Sequence, residues 1–284
     1  MVYLGPAGWI YRDWEGVFYP AKKGPGFDPL RFTASYFDTI EINSSFYHPP
    51  APSATTTWVQ RVSANPRFRF TAKAWRRFTH EREYSEADLT LFCSGLDPLA
   101  SGDKLGALLL QFPWSFKNGH EERDYLVRLV EKLRPYPLVL EVRHASWNAP
   151  AVFELLRSLQ VGFCNIDQPV IGKSLGPTAV VTSPVGYFRM HGRNYRNWFR
   201  DDADVNERYD YLYTSDELLQ AKEFVEVIAE RSRETYVILN NHRNAQAPVN
   251  ALELKSLLTG GKVAAPDTLV GYYPRLKEFV APTA

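Results

Sequence analysis

The stretch Leu138-Val139-Leu140-Glu141-Val142-Arg143 sets the pattern from which the fold is read. Side chains of a β-strand alternate between faces with period two, so Glu141 and Arg143 share one face and Leu138, Leu140 and Val142 the other. The polar residues enter only toward the C-terminal end. Residues 39–43 repeat the arrangement, with Glu41 and Asn43 opposite Ile40 and Ile42, and residues 67–73 set Thr71 and Lys73 against Phe68 and Phe70. In residues 161–167 the pair is Asn165 and Asp167 against Cys164 and Ile166, and in 186–192 it is Arg189 and His191 against Phe188 and Met190. Gln111 in residues 105–112 and Asn240 in 235–241 fall on the faces of Leu109 and Ile238. Residues 2–8 have the apolar look without the polar ends.

Helical segments separate these runs, several with start signals. Asp28-Pro29 offers an N-cap and a proline at the first helical position, and Ser85 with Asp88 and Thr214 with Glu217 resemble capping boxes. The helices expected are 29–38, 53–64, 86–99, 121–134, 149–159, 216–233 and 248–258. Eight strands alternating with helices predict an α/β fold, a single (β/α)₈ TIM-type barrel over residues 1–284 with a short C-terminal tail from about residue 271. One unit is irregular: residues 168–184 carry Pro169, Gly172, Gly176, Pro177 and Pro184 and no helical period. An open doubly wound sheet is the rival, but its strands would be apolar on both faces.

Composition limits the function. A chain of 284 residues with 45% hydrophobic content can bury a large core, and 33 basic against 32 acidic residues create no global field toward nucleic acid or a membrane. Attraction for an anion must therefore be local. Cys93 and Cys164 lack metal-ligand spacing and read as thiols of a reducing compartment. With no signal-like start and no run approaching the ~20 residues of a membrane span, a cytoplasmic protein without a membrane partner is expected.

Barrels of this kind place their chemistry at the C-terminal ends of the strands. The polar residues there are Glu41, Asn43, Lys73, Gln111, Glu141, Arg143, Asp167, Arg189, His191 and Asn240. A self-satisfied ion-pair network filling the mouth is the structural alternative, because buried charges are normally paired. Glu141 and Asp167 end consecutive strands, ~4.8 Å apart in a parallel sheet, and could work as acid and base. Lys73 could act as a Schiff-base nucleophile or bind an anion. Six of seven tryptophans, Trp9, Trp14, Trp75, Trp114, Trp147 and Trp198, fall in the loops after the strands with Phe46, Tyr47 and Tyr195, where flat rings suit stacking on bases or sugars. Two basic stretches, Lys73-Ala74-Trp75-Arg76-Arg77 running on to His80, and residues 191–200, flank the same mouth. Glu41, Glu141, Asp167 and His191 could instead gather a divalent metal, although no HxH, HExxH or CxxC spacing supports one, and no cofactor is expected.

At these residues the chain resembles the YecE-like family, domain of unknown function 72. The resemblance runs from about Gly5 to Leu257 and rests on Gly8-Trp9, Trp14-Glu15-Gly16, Glu41-Ile42-Asn43-Ser44-Ser45-Phe46-Tyr47, Phe70-Thr71-Ala72-Lys73 and Thr79-His80. It continues through Leu110-Gln111-Phe112-Pro113, Glu141-Val142-Arg143-His144, Ser146-Trp147, Asp167, Arg189-Met190-His191-Gly192-Arg193 and Asn240-Asn241. The chain departs from the family pattern at Gly5-Pro6-Ala7, where a small hydroxyl residue is expected beside Gly5. The resemblance implies a TIM-type barrel and no settled activity. Barrels of this shape look similar to metal-dependent abasic-site endonucleases and sugar isomerases, a likeness of fold only, and this chain has just six histidines.

The expected activity is therefore binding or processing of a phosphate-bearing, nucleotide or sugar-containing ligand at the mouth. Glu41, Lys73, Glu141, Asp167 and His191 would be catalytic. Trp9, Asn43, Phe46, Tyr47, His80, Gln111, Arg143, His144, Trp147, Arg189, Arg193, Asn240 and Asn241 would hold the ligand. A single-stranded nucleic-acid-binding module and a divalent-metal-dependent phosphodiesterase or isomerase are the alternatives.

Overall fold

The computed structural model describes residues 1–196 and 205–281. Eight parallel strands, β1 (Val2–Pro6), β2 (Thr39–Ile42), β3 (Arg69–Lys73), β4 (Leu105–Gln111), β5 (Leu138–Glu141), β6 (Gly162–Asp167), β7 (Val185–Met190) and β8 (Glu234–Leu239), lie in the order β1-β8-β7-β6-β5-β4-β3-β2. The remaining gap, between β1 and β2, is bridged by the Asp38 N–H to Leu4 O at 3.3 Å, the Gly8 N–H to Glu41 O at 2.9 Å and an Ala7–Glu41 bridge. This closes the TIM-type barrel. Gly5 makes the closure possible, since a Cβ there would lie 1.8 Å from Thr39 O.

Helices α1 (Pro29–Ala34), α2 (Pro52–Arg61), α3 (Glu86–Ser101), α4 (His120–Leu133), α5 (Pro150–Leu159), α6 (Val205–Arg208), α7 (Ser215–Arg231), α8 (Gln246–Thr259) and α9 (Asp267–Tyr272) follow or interrupt the strands. The expected start signals operate. Asp28 accepts from the Leu30 N–H at 2.9 Å, and both capping boxes, Ser85 with Asp88 and Thr214 with Glu217, are reciprocal. Outward-facing Phe188, Val237 and Leu239 share a core with Leu218, Val225 and Ile228 of α7, while Leu108 and Leu110 share another with Leu96 and Leu126. Each such fully buried side chain stabilises the fold by about 1.5–3 kcal/mol.

No helix joins β6 to β7, as the prolines and glycines of residues 168–184 predict. Asn165 substitutes for it: its Oδ1 accepts from the Thr178 hydroxyl at 2.7 Å and the Val180 N–H at 2.8 Å, while its Nδ2 donates to Val180 O at 2.9 Å. The residues from about 271, expected as a tail, are folded onto the barrel. Leu276 is buried, Arg275 pairs with Glu253 at 2.6 Å, and Val280 bridges Val263. Among the described residues no helix is long and apolar enough to cross a membrane.

The close approach at Gly5 predicts that Gly5→Ala loses about 3 kcal/mol, the upper range for overpacking, because the clash is with backbone that cannot yield. Urea denaturation measures this directly, and a stability loss under about 1 kcal/mol, the lower end of that range, would mean that the barrel closes another way.

Candidate functional site

Strand register turns Glu41, Glu141 and Arg189 toward the barrel axis, where they meet across non-adjacent strands. Arg189, at the end of β7, donates through Nη2 to Glu41 Oε1 at 2.6 Å and through Nε to Glu41 Oε2 at 3.0 Å. Its Nη1 reaches Glu141 Oε2 at 3.3 Å. The Tyr187 hydroxyl completes the Glu41 site, donating to Oε2 at 2.9 Å. Glu141 also accepts from Arg143 at 2.8 Å and His191 Nε2 at 3.2 Å, while Asn240 Nδ2 donates to His191 Nδ1 at 3.2 Å. Burial alone would raise the Glu141 carboxyl, but Arg143, Arg189 and His191 outweigh it and hold it well below the usual carboxylate range. Burial, reinforced by Arg143 and Arg189, holds the His191 imidazole well below its ordinary value and hence neutral. The inner network is thus two carboxylates against two guanidiniums.

Lys73, at the end of β3, stands outside this balance. Among the described residues it makes no ion pair, and its Nζ sits 4.3 Å from the centre of the Phe46 ring. Burial, then the Arg189 charge, lowers its pKa to about 8 despite Glu41 and Glu141. His80 follows on a single π-helical turn, Arg77–Glu81, an irregularity frequent at functional sites. Its ring meets the edge of Phe46 at 4.8 Å, and burial with the Lys73 charge lowers it to about 4. At the ends of the two strands that follow β3 in the barrel, Gln111 and Arg143 line a 210 Å³ hollow with Trp114, Gln168, Ser174 and Tyr209. A second hollow of 160 Å³ is walled by Gly8, Trp9, Tyr11, Asn43 and Ser44, and the buried Asn43 Oδ1 has no hydrogen-bond partner among the described residues.

Several expected site residues lie elsewhere. The pairing of Cys164 with Tyr187 and of Ile166 with Arg189 turns Cys164 and Ile166 inward, so Asn165 and Asp167 face out of the barrel. Asp167 therefore does not meet Glu141, and the expected acid–base pair is not formed. It accepts instead from Arg193 Nη2 at 2.6 Å and from the Tyr213 hydroxyl at 3.0 Å, and Arg193 also contacts Glu217 of α7. Asn241 likewise points outward, donating to Tyr211 O and Asn250. Trp147 is buried against Phe116, donating to its carbonyl at 2.8 Å, so its ring is not open for stacking, while Trp9 walls the second hollow and packs against Trp58 and Phe70. His144 caps the turn Ala145–Trp147 by accepting from the Ser146 N–H at 3.1 Å. Of the expected mouth aromatics, Tyr47 is exposed and Phe46 half-buried. Trp198 and Arg200 lie outside the described residues.

Three lining residues escaped the sequence reading as site residues. Trp114 is exposed, with Lys117 5.1 Å over its ring, and Tyr209 and Gln168 close the same hollow. Trp114 stood in the right loop, but only the burial of the other tryptophans separates it from them. Of the residues expected to gather a metal, Glu41 and Glu141 hold the Arg189 guanidinium between them and Asp167 faces away, and no cluster of three His, Cys, Asp or Glu occurs among the described residues.

These features define a (β/α)₈ barrel whose charged groups converge on the strand ends. Residues 3–269 match the family described as Protein of unknown function DUF72, and the chain belongs to it. Over 273 residues it is 28% identical to UPF0759 protein YunF of Bacillus subtilis, spanning 91% of this chain and 95% of that one. UPF0759 protein YecE of Escherichia coli K12 is 26% identical over 152 residues, about half of each chain. A DUF72 family protein of Thermotoga maritima superposes with a TM-score of 0.80 at 35% identity, covering 91% of this chain and 99% of its own. A xylose isomerase domain-containing protein of Salmonella typhimurium, 14% identical with a TM-score of 0.50 over 83% of this chain and 94% of its own, shares the fold alone.

Two predictions follow from the buried charges. Glu41→Gln strands the Arg189 guanidinium without its main partner and is expected to cost about 3–5 kcal/mol, read as a lowered urea midpoint; a neutral substitution would remove Glu41 from its central place. His80, His144 and His191 are all held below their ordinary value of 6.5, His80 at about 4. The unfolded chain therefore takes up protons below pH 6.5 that the folded chain refuses, so stability is retained above that pH and falls as pH drops below it. Denaturation measured between pH 8 and pH 5 should show this slope, and His191→Asn should flatten it by roughly one proton.

Proposed function

We propose that the barrel mouth binds a small phosphate-bearing ligand, a sugar phosphate or a nucleotide, with Lys73 and Arg143 as its anion clamp. The observation that carries this reading is Lys73. Glu41 and Glu141 are consumed by Arg189, Arg143 and His191, so two carboxylates face three cations and one positive charge is left over at the mouth. A half-buried ammonium without a counter-ion is costly, and an anion from solution would supply the missing partner. Arg143 adds a planar donor fork suited to phosphate. Gln111 and Asn43 would orient the polar part of the ligand, with Phe46, Tyr47 and Trp114 flanking it.

The exposed Trp114 ring at the hollow offers a flat face that suits a base or a sugar, and so supports either ligand class. Binding of single-stranded nucleic acid through Arg193 is less favoured, since that side chain is held by Asp167 and Glu217. Glu141, kept ionised by three partners, serves to fix Arg143 and His191 rather than to donate a proton.

Calorimetric titration with inorganic phosphate and with adenosine monophosphate tests the reading. Lys73→Met should weaken both by about tenfold or more, the scale of one charge-assisted hydrogen bond. Affinity for the wild type should fall as pH rises through about 8, where the ammonium loses its proton. Binding unaffected by Lys73→Met, or absent from the wild type, would overturn it.

A further inference from the structure

We propose that Lys73 is a covalent nucleophile that condenses with the carbonyl group of a phosphorylated aldehyde or ketone to form a Schiff base. The inference rests on the anion-binding reading above and names the substrate class for the same site. A lysine that merely filled the barrel would be expected to reach a carboxylate. Lys73 reaches none among the described residues, although Glu41 and Glu141 both influence it, because Arg189 and Arg143 hold those carboxylates. Its amine lies instead against the Phe46 ring. The apolar face and the neighbouring guanidiniums disfavour the ammonium, and the free amine is the form that attacks a carbonyl.

Burial and Arg189 lower the amine to about 8, so at pH 8 about half is unprotonated. For a lysine at the ordinary value of about 10.4 the fraction is below about one hundredth. The contrast in free amine at that pH is therefore on the order of a hundredfold.

His80 is the second component. Its Nδ1 is engaged by the Thr79 hydroxyl at 3.0 Å, and its ring meets Phe46, the same ring that Lys73 covers. Burial and the Lys73 charge keep the imidazole neutral, a proton acceptor during addition. In the condensation the Nζ lone pair forms the C–N bond and the carbonyl π pair moves to oxygen. Both protons lost from nitrogen leave with that oxygen as water, and no electrons are gained or lost overall. Arg143, the permanently charged half of the anion clamp on the far side of Gln111, would keep the phosphate once Lys73 has lost its proton and met the carbonyl.

Borohydride trapping tests the step. The full chain is incubated with dihydroxyacetone phosphate at pH 8, reduced with sodium borohydride, digested and mapped by mass spectrometry. The expected result is a secondary amine concentrated on Lys73, with occupancy at least about tenfold above any surface lysine, given the hundredfold contrast in free amine. Lys73→Arg, which keeps the charge but offers no condensing amine, should lose the adduct while retaining phosphate binding by calorimetry. His80→Gln should slow adduct formation, read as the rate at which the borohydride-trapped product appears. Adduct spread over surface lysines, or none at all, would overturn the nucleophile even where phosphate binds. Absence of phosphate binding in the wild type would overturn the anion site itself, so the two failures are distinguishable. Circular dichroism of each variant separates loss of chemistry from loss of fold.

Discussion

The Arg189 guanidinium, held between Glu41 and Glu141 inside the barrel, is the interaction on which the mouth depends. An arginine cannot shed its proton in a protein, so its burial requires compensating charge from the walls. Glu41 supplies most of it through two short contacts, with Tyr187 fixing the carboxylate from below. Tyr187 in turn shares a hydrogen bond of 2.9 Å with Thr71 across the barrel, which ties β3, β2 and β7 into one polar layer. Above that layer Glu141 gathers Arg143 and His191, and Asn240 fixes the ring of His191. Because each carboxylate is committed, Lys73 is left with an aromatic ring for company. The reactivity argued for the mouth is therefore a by-product of how the interior is neutralised.

Most of the fold was legible because two periods alternate along the chain and the helices announce their starts. All eight strands fall where the alternation places them, and Asp28, Ser85 and Thr214 cap their helices as their identities imply. Helix ends were less legible: α1 stops at Ala34 rather than continuing to 38, since the Ser35 N–H already shares the Arg31 and Phe32 carbonyls. The folded segment beyond α8 was missed because α9 and the turn Pro274–Glu278 are too short to display a period.

The site was legible by position more than by partnership. Period two says which residues share a face and not which face points inward. In a barrel wrapped by helices both faces of a strand are buried, so hydrophobicity alone does not mark the inside. On β5 the polar face is the inner one, as Glu141 shows. On β6 it is the outer one, because the missing helix between β6 and β7 leaves polar loop backbone, Arg193 and Tyr213 for Asn165 and Asp167 to meet. The tryptophans carry a similar ambiguity. A large ring after a strand either roofs the core or faces the ligand, and only packing separates buried Trp147 from exposed Trp114.

Cavity volume alone does not mark a binding site. A cleft of 540 Å³ between α1 and α2, lined by Arg31, Arg61, Val62 and Asn65, is larger than either of the two hollows described at the mouth. Its two arginines both approach Asp28, at 3.8 and 3.3 Å, and Asn65 spends its amide on the carbonyls of Ala34 and Phe37. These polar groups are occupied in holding α1 and the start of β3 together, so the cleft has volume without an unmet chemical demand. The two hollows near Gln111 and Asn43 are the reverse, smaller but close to an ammonium without a counter-ion and an amide oxygen without a donor among the described residues. A ligand is recognised by the groups it satisfies more than by the space it fills, and on that criterion the strand ends, not the cleft, carry the unmet demand.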